Sequence, residues 1–234
     1  MSEAVSVERR KILAARGAEI LLTPGHLGTD GAIEEVYRIA REEPDRYFMT
    51  DQFNNEANWR AHYHGTADEI IRQTEGNVDK IVATMGTTGT VMGLARRFKE
   101  YDPGVEVIGV EPYLGHKLQG LKNLKEAYRP EIFDKNLLGR KVNIDDEEAF
   151  EMTRRLGREE GLFVGMSSGA AMVIAAREAE KMEKGTIVVI FCDSGERYLS
   201  TPLFAVKKKV DLVLFNTMKR SKEPFEPLHA VRVS

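Results

Sequence analysis

The stretch from residue 80 to residue 110 restricts the possible folds more than any other part of the chain. It opens on a continuous apolar run, residues 80–84, which is typical of a strand buried on both faces of a parallel sheet. The glycine-rich loop GTTGT follows at residues 86–90, then a helical pattern at residues 91–100, a turn, and a second apolar run at residues 105–110. A strand, a helix and a strand within about 30 residues form a βαβ unit, so the sequence predicts an α/β fold.

Helices and strands alternate along the rest of the chain as well. The further elements that the pattern predicts are a helix at residues 5–15, a strand at 18–22, a helix at 32–42, a strand at 47–49, helices at 147–160 and 170–184, and a strand at 186–192. Residues 111–140 have no clear period and are expected to be irregular. The alternation predicts three layers, with helices covering both faces of a mostly parallel sheet.

The first predicted element is a helix, and no strand precedes it to pair with the strand at residues 18–22. A parallel fold that starts in this way either lacks a preceding segment or simply begins with a helix. The pattern alone leaves both interpretations open.

Charge and cysteine content exclude several classes of protein. Lys and Arg number 34 and Asp and Glu number 37, so the net charge of −3 argues against a broad nucleic-acid interface. The apolar runs are much shorter than the roughly 20 residues that span a bilayer, and the charged N-terminus is unlike a signal peptide. Cys192 is the single cysteine, which excludes an intrachain disulfide and a four-cysteine zinc site. We expect a soluble cytoplasmic protein of one or two domains that binds neither nucleic acid nor a membrane.

The loop GTTGT is the first candidate site. Gly86 and Gly89 let the backbone approach a ligand closely, and Thr87, Thr88 and Thr90 supply hydroxyl groups. The loop ends where a helix is predicted to begin, and the free N–H groups of a helix N-terminus favour an anion. It matches neither the dinucleotide fingerprint nor the P-loop. These features indicate a phosphate site; the alternative is a tight strand-to-helix turn that only needs glycine.

Two further segments carry small or polar residues at the ends of predicted elements. The sequence GMSSGAA at residues 165–171 suits close packing at the start of a helix, although Ser167 or Ser168 could serve only as an N-cap. The sequence CDSGERYLST at residues 192–201 directly follows a predicted strand, where sheets of this class bind ligands. The alternative for this second segment is a charged turn without a ligand.

The remaining candidates are less informative. His62 and His64 would point to opposite faces of a strand and have no evident third ligand, so we expect no metal site. Cys192 ends a predicted buried strand and is expected to pack there instead of acting as a nucleophile. Residues 207–209 are three lysines that we expect on a solvated face.

Taken together, in this order and spacing, the three motifs resemble those of the cysteine synthases. These are O-acetylserine sulfhydrylases and related pyridoxal-phosphate enzymes of the tryptophan synthase β-like fold, also called fold type II. The sequence QFNNEAN at residues 52–58 is similar to the family's Gln-Phe-x-Asn-Pro-Ala-Asn, with Glu56 in place of the proline. Residues 1–18 resemble the family's Met-Ser-x-Glu-Arg-Arg segment and the Gly-Ala-Glu that follows it. The resemblance extends to about residue 204.

The resemblance implies roles for individual residues. Ser167 would hydrogen-bond the pyridine nitrogen, and its neutral hydroxyl would leave the ring a weaker electron sink, which suits β-elimination and replacement over transamination. Gln52 would contact the substrate carboxylate. Cys192 stands where the family often has proline, so no catalytic role is implied for it. The phosphate of pyridoxal 5'-phosphate would be bound by the GTTGT loop, that is by Gly86, Thr87, Thr88, Gly89 and Thr90.

Lys122 bears on the choice of substrate. Residues 111–134 look closer to the branch of the family that includes O-phosphoserine-using, sulfur-carrier-dependent enzymes, in which an arginine binds the substrate phosphate. Lys122 stands at that position and offers a point charge instead of a bidentate fork. The alternative is a solvated lysine in an irregular loop.

The implied activity is the β-replacement of O-acetylserine or O-phosphoserine with a sulfur donor, which yields L-cysteine in a homodimeric enzyme. The family's Schiff-base lysine, in a Ser-x-Lys-Asp-Arg-like stretch, and its Ser-Gly-Asn-Thr-Gly-like loop have no counterpart here. We therefore expect no catalytic residue and little turnover in these 234 residues, as in a cysteine synthase without its first third. The alternatives are a non-catalytic cofactor-binding remnant and one half of a split enzyme. A nicotinamide-binding protein is disfavoured, since no acidic ribose-binding residue follows the glycine loop.

The last part of the chain does not resemble a cysteine synthase. Residues 212–218 and 220–228 are similar to the first strand and loop of cysteinyl-tRNA synthetases, and the similarity stops before that family's metal-binding and nucleotide signatures. We expect a piece of a fusion between the two enzymes; the alternative is an unrelated amphipathic tail. The predicted domains are the remainder of a smaller domain at residues 1–50, most of a larger, cofactor-binding domain at residues 51–205, and a tail at residues 206–234.

Overall fold

The computed structural model describes residues 1–205, 213–216 and 221–224. Its contacts divide the chain into two units, Met1–Phe204 and Ala205–Ser234. The α-helices of the first unit are α1 (Val7–Ala15), α2 (Gly28–Glu42), α3 (Ala57–Ala61), α4 (Ala67–Gln73), α5 (Gly89–Tyr101), α6 (Asp146–Glu159) and α7 (Met166–Ala179). Its strands are β1 (Lys80–Thr84), β2 (Glu106–Pro112), β3 (Arg140–Ile144) and β4 (Ile187–Val189).

Within the described residues, the strands of the first unit form one parallel sheet in the order β3-β2-β1-β4. Strand β1 lies between β2 and β4, with Lys80 opposite Glu106 on one side and opposite Ile187 on the other. Because all strands run the same way, their carboxyl ends lie along a single edge of the sheet. The α/β class with a mostly parallel sheet, predicted from the βαβ pattern, is confirmed.

The apolar run of β1 is buried on both faces of the sheet. Ile81 and Ala83 belong to a core cluster with Phe98 of α5, whereas Val82, between them, belongs to a second cluster with Ile174 of α7. The alternation follows from the two-residue period of a strand. Helices therefore cover β1 from both sides, which is the predicted three-layer arrangement.

Several element boundaries agree closely with the sequence pattern. Strand β1 occupies the predicted residues, and α6 differs from its prediction by one residue at each end. Helix α7 begins at Met166, so it includes the small residues of GMSSGAA that were predicted to precede it. The pattern missed β3, whose sequence RKVNI is largely polar, and the helical stretch at residues 57–73, which is made of short pieces.

Two predicted strands are wrong. Residues 18–22 and 47–49 belong to no strand and pair with none among the described residues. Their mostly apolar and aromatic composition is typical of a strand, yet a strand also needs a hydrogen-bonded neighbour. Leu21, Leu22 and Phe48 are exposed in these segments. The composition of these segments indicates a preference for extended backbone, but it does not show whether another strand lies beside them to pair with.

A network of charged side chains lies at the amino-terminal ends of the strands, at the edge of the sheet opposite to the carboxyl ends. Glu178 of α7 is buried and accepts hydrogen bonds from Lys80 (2.7 Å), Lys181 (2.7 Å) and Arg140. Burial by itself would raise the pKa of Glu178, but the hydrogen bonds from the three cations outweigh it and lower the pKa to about 2. The carboxylate therefore ties α7 to β1 and β3.

We expect Glu178→Gln to lower the free energy of unfolding by about 1–3 kcal/mol at pH 7, because Lys80, Arg140 and Lys181 lose their charged acceptor. A carboxyl group whose pKa is depressed on folding stabilises the protein above its ordinary pKa of 4.5, and that contribution is lost as the pH falls towards 2. The difference between parent and variant should therefore shrink over this range in denaturant titrations. Glu159→Gln is the control, since Glu159 pairs with Arg155 on the exposed face of α6. Equal losses for both variants would contradict the network's role.

The described part of the second unit is an antiparallel strand pair, β5 (Val213–Asn216) and β6 (Ser221–Pro224). The other residues that resemble a cysteinyl-tRNA synthetase lie outside the described residues, and so do the three lysines at residues 207–209. Within the described ranges, every helix is too short or too polar to span a bilayer.

Candidate active site

A cavity of about 320 Å³ opens where β1 and β4 end. This is the edge at which parallel α/β sheets bind their ligands. It brings together residues from the predicted motifs and from α1. The lining residues are Arg9, Gln52, Thr84, Gly86, Thr87, Thr88, Gly89, Thr90, Gln119, Gly120, Leu121, Ser167, Cys192, Asp193 and Tyr198.

A larger cavity of about 780 Å³ lies against α2, with Leu21, Leu27 and Tyr128 among its walls. It contains none of the residues predicted to bind cofactor or substrate. Volume alone therefore does not identify the functional site, and the smaller cavity at the carboxyl edge is the candidate.

The GTTGT loop joins β1 to α5 and forms one wall of the candidate cavity. Thr88 is the N-cap of α5 and has a left-handed backbone with φ of 66°, an uncommon conformation for a β-branched residue. Its hydroxyl is buried and has no hydrogen-bond partner. A buried hydroxyl beside the free N–H groups of a helix N-terminus calls for an acceptor such as a phosphate oxygen.

Asn58 of α3 holds this loop from behind. Its Nδ2 donates to Thr87 Oγ1 (3.0 Å) and to the carbonyl of Gln52 (2.6 Å). A Cβ built on Gly89 would overlap the Asn58 amide, so a side chain at Gly89 requires that Asn58 move. The QFNNEAN segment and the loop are therefore one unit, and Gln52 lies at the cavity because of this contact.

The start of α7 forms the opposite wall. Gly165, and neither Ser167 nor Ser168, is the N-cap of α7, so the alternative that a serine serves only as N-cap is wrong. Ser167 lines the cavity within the first helical turn. A Cβ on Gly165 would overlap the Asp193 carboxylate, which explains why glycine precedes the serines.

Cys192 differs from its prediction as well. It is exposed and lines the cavity, because β4 ends at Val189 and the chain leaves the sheet before Cys192. Desolvation by the cavity wall raises the pKa of the thiol, although hydrogen bonds with Thr84 and Ser167 act in the opposite direction. The thiol is therefore neutral at pH 7, which is unfavourable for a nucleophile.

Asp193 and Tyr198 of the candidate segment at residues 192–201 complete the cavity together with Arg9, whose contact with them was not predicted. Arg9 of α1 donates to the Tyr198 hydroxyl (3.0 Å), which in turn donates to Asp193 Oδ2 (2.6 Å). Arg9 also forms an ion pair with Asp193 at 3.8 Å. Desolvation and the hydrogen bond to Asp193 raise the pKa of Tyr198. The contact of Arg9 with Tyr198 spans 189 positions, and no local sequence pattern marks it.

Lys122 does not line the cavity, unlike the other residues predicted for the site. It is buried, so the alternative of a solvated lysine is wrong. Its ammonium donates to Asp30 Oδ1 (2.5 Å) and Glu126 Oε2 (2.8 Å). Two carboxylates therefore already neutralise the positive charge that was expected to bind a substrate phosphate.

His62 and His64 are not on a strand but in a π-helical turn, His62–Thr66, between α3 and α4. Among the described residues, no group of three or more His, Cys, Asp or Glu side chains is placed to hold a metal ion.

The chain belongs to the family of pyridoxal-phosphate dependent enzymes, whose model matches residues 1–193. It is 46% identical to the cysteine synthase of Aquifex aeolicus over 208 residues, covering 87% of this chain and 64% of that protein. It is 39% identical to cysteine synthase B of Pseudomonas aeruginosa, covering 87% of this chain and 68% of that protein. The chain thus spans about two thirds of the length of these relatives.

Solved structures give the same fold. An O-ureido-L-serine synthase superimposes with a TM-score of 0.81 at 35% identity, over 90% of this chain and 69% of that one. The cysteine synthase of Entamoeba histolytica has a TM-score of 0.74 at 41% identity, over 87% of this chain and 63% of that one. The fold type II architecture expected from the motifs is confirmed.

The residues of the cavity fit pyridoxal phosphate, the cofactor of this family. The unpartnered Thr88 hydroxyl and the N-terminus of α5 suit a phosphate, and the loop glycines leave its backbone accessible. Ser167, on the opposite wall, offers a neutral hydroxyl for a ring nitrogen. The individual roles of these residues remain predictions.

We expect Gly89→Ala to weaken the binding of inorganic phosphate about tenfold or more, because the new Cβ displaces Asn58 and frees Thr87. Isothermal titration calorimetry measures the affinity. Gly157→Ala in α6 is the control, since the added Cβ there meets only ordinary contacts. Unchanged affinity in Gly89→Ala would show that this loop is not the phosphate site.

Proposed function

We propose that this chain provides the cofactor-binding part of a cysteine synthase-like enzyme. The reaction class is the replacement of the β-substituent of an O-substituted serine by a sulfur nucleophile. The observation that carries the proposal is the meeting of the GTTGT loop, Ser167 and Gln52 around one cavity at the carboxyl edge of the sheet. The similarity to cysteine synthases over most of this chain supports it.

In this proposal, the residues of each cavity wall bind a different part of the cofactor or the substrate. The backbone of the GTTGT loop and the hydroxyls of Thr88 and Thr90 bind the cofactor phosphate, and Ser167 donates to the ring nitrogen. Gln52 donates its side-chain amide to the substrate carboxylate. The bound cofactor supplies an electron sink for charge that develops at the substrate's α-carbon. Because Ser167 carries no charge, it does not drive protonation of the ring, which favours replacement over transamination.

The substrate is an O-substituted serine, with O-acetylserine and O-phosphoserine as the two candidates. The names of two similar solved proteins, an O-ureido-L-serine synthase and an O-acetylserine dependent cystathionine β-synthase, refer to serines of this kind. The pairing of Lys122 with Asp30 and Glu126 favours O-acetylserine, because a substrate phosphate would have to displace a carboxylate. The sulfur donor is sulfide or a sulfur carrier.

We also propose that these 234 residues by themselves bind the cofactor but form little cysteine. The reason is the sequence itself, in which no lysine stands in the context of the family's Schiff-base lysine. Residues 1–50 would then belong to the smaller domain and residues 51–205 to the larger one. The chain would act as one half of a split or fused enzyme, or as a cofactor-binding remnant.

Calorimetry with two ligands tests the cofactor site. We expect pyridoxal 5'-phosphate to bind at least tenfold more tightly than pyridoxal, because charge-assisted hydrogen bonds to the phosphate each contribute about 1.5–3 kcal/mol. Pyridoxal is the matched control, since it differs only in lacking the phosphate. Equal affinities for the two ligands would contradict the assignment of the loop.

A separate assay tests turnover. The chain is loaded with pyridoxal 5'-phosphate and supplied with sulfide and either O-acetylserine or O-phosphoserine, and cysteine is quantified. We expect no cysteine above the rate of free cofactor. Cysteine formation at an enzymatic rate would contradict the proposed impairment while supporting the reaction class.

A further inference from the structure

The π-helical turn His62–Thr66 lies directly behind the GTTGT loop. Single π-helical turns are rare and occur often at functional sites. This one packs closely against α5, because a Cβ on Gly93 would lie 2.6 Å from His62 Cβ. The close approach brings the His62 ring to the first turn of α5.

The His62 ring makes two hydrogen bonds, one from each nitrogen. Nδ1 lies 3.0 Å from Thr66 Oγ1, and Nε2 lies 3.2 Å from Thr90 Oγ1. Thr90 is the last residue of the GTTGT loop and lines the cavity. His62 thus connects the inside of the cavity to the turn behind it without lining the cavity itself.

The tautomer of the His62 ring determines whether the Thr90 hydroxyl donates its proton to His62 or accepts a proton from it. Burial lowers the pKa of His62, so the ring is neutral at pH 7 and has one donor and one acceptor nitrogen. If Thr66 donates to Nδ1, the proton of the ring is on Nε2 and is donated to Thr90 Oγ1. The Thr90 hydroxyl then keeps its own proton free for a ligand in the cavity. In the other tautomer, Nε2 of His62 carries no proton, and the Thr90 hydroxyl would donate its own proton to that nitrogen.

We propose that His62 is a positioning residue that orients the Thr90 hydroxyl as a donor to an anionic phosphate in the cavity. The chain of donors runs from Thr66 through His62 to Thr90 and ends on the ligand. The inference rests on the proposed function only in taking the cavity as the phosphate site. It assigns a role to a histidine that the sequence pattern set aside.

The test compares four variants by calorimetry with inorganic phosphate and with pyridoxal 5'-phosphate at pH 7.5. We expect His62→Leu to weaken both ligands about three- to tenfold, the effect of one hydrogen bond. His62→Gln should restore binding to within about twofold, because its Nε2 amide can replace the ring Nε2–H. Thr66→Val should weaken binding, since it removes the donor that sets the tautomer. His64→Gln, in the same turn but exposed, should leave binding unchanged.

A second measurement needs no ligand. Nitrogen-15 NMR of the imidazoles in the free chain should show His62 protonated on Nε2 in the parent, and a mixture of tautomers in Thr66→Val. Protonation on Nδ1 in the parent would overturn the inference. So would equal phosphate affinity in the parent, His62→Leu and Thr66→Val, and that result would leave the proposed function intact. A parent that binds neither ligand would overturn the proposed function and the inference together.

Discussion

The parallel pairing of β1 with its two neighbours is the interaction on which the site depends. With Lys80 opposite both Glu106 and Ile187, the strands share one register and their carboxyl ends lie side by side. The loops that leave this edge therefore meet, although they are far apart along the chain. Burial of β1 on both faces makes that register hard to change, since a shift by one residue would exchange the two core faces.

The cavity also depends on support from outside its walls. Asn58 and His62, on consecutive helical segments, hydrogen-bond Thr87 and Thr90 of the GTTGT loop. A ligand site keeps its geometry only when the residues behind it are themselves held in place. The hydroxyl of Thr88 has no such support: it is buried and has no hydrogen-bond partner among the described residues.

Local features could be predicted, and features that depend on distant partners could not. Strand β1 and helix α5 follow from an apolar run, glycines and helical periodicity, all of which act over a few residues. Residues 18–22 have the composition of a strand, but whether they form one depends on whether another strand lies beside them to accept and donate hydrogen bonds. Cys192 was expected to be buried because its strand was drawn too long, and the end of β4 depends on its ladder with β1.

The sequence by itself determined the α/β class and the family, because these depend on short motifs and their order. Only the tertiary structure decided what surrounds them. Lys122 meets Asp30 across 92 positions of the chain, and this contact pairs a charge for which the family resemblance implied a role in binding the substrate. Asn58 and His62 reach the loop in the same way, through the packing of one helix on another. Such contacts depend on distances in space that neighbouring residues do not encode.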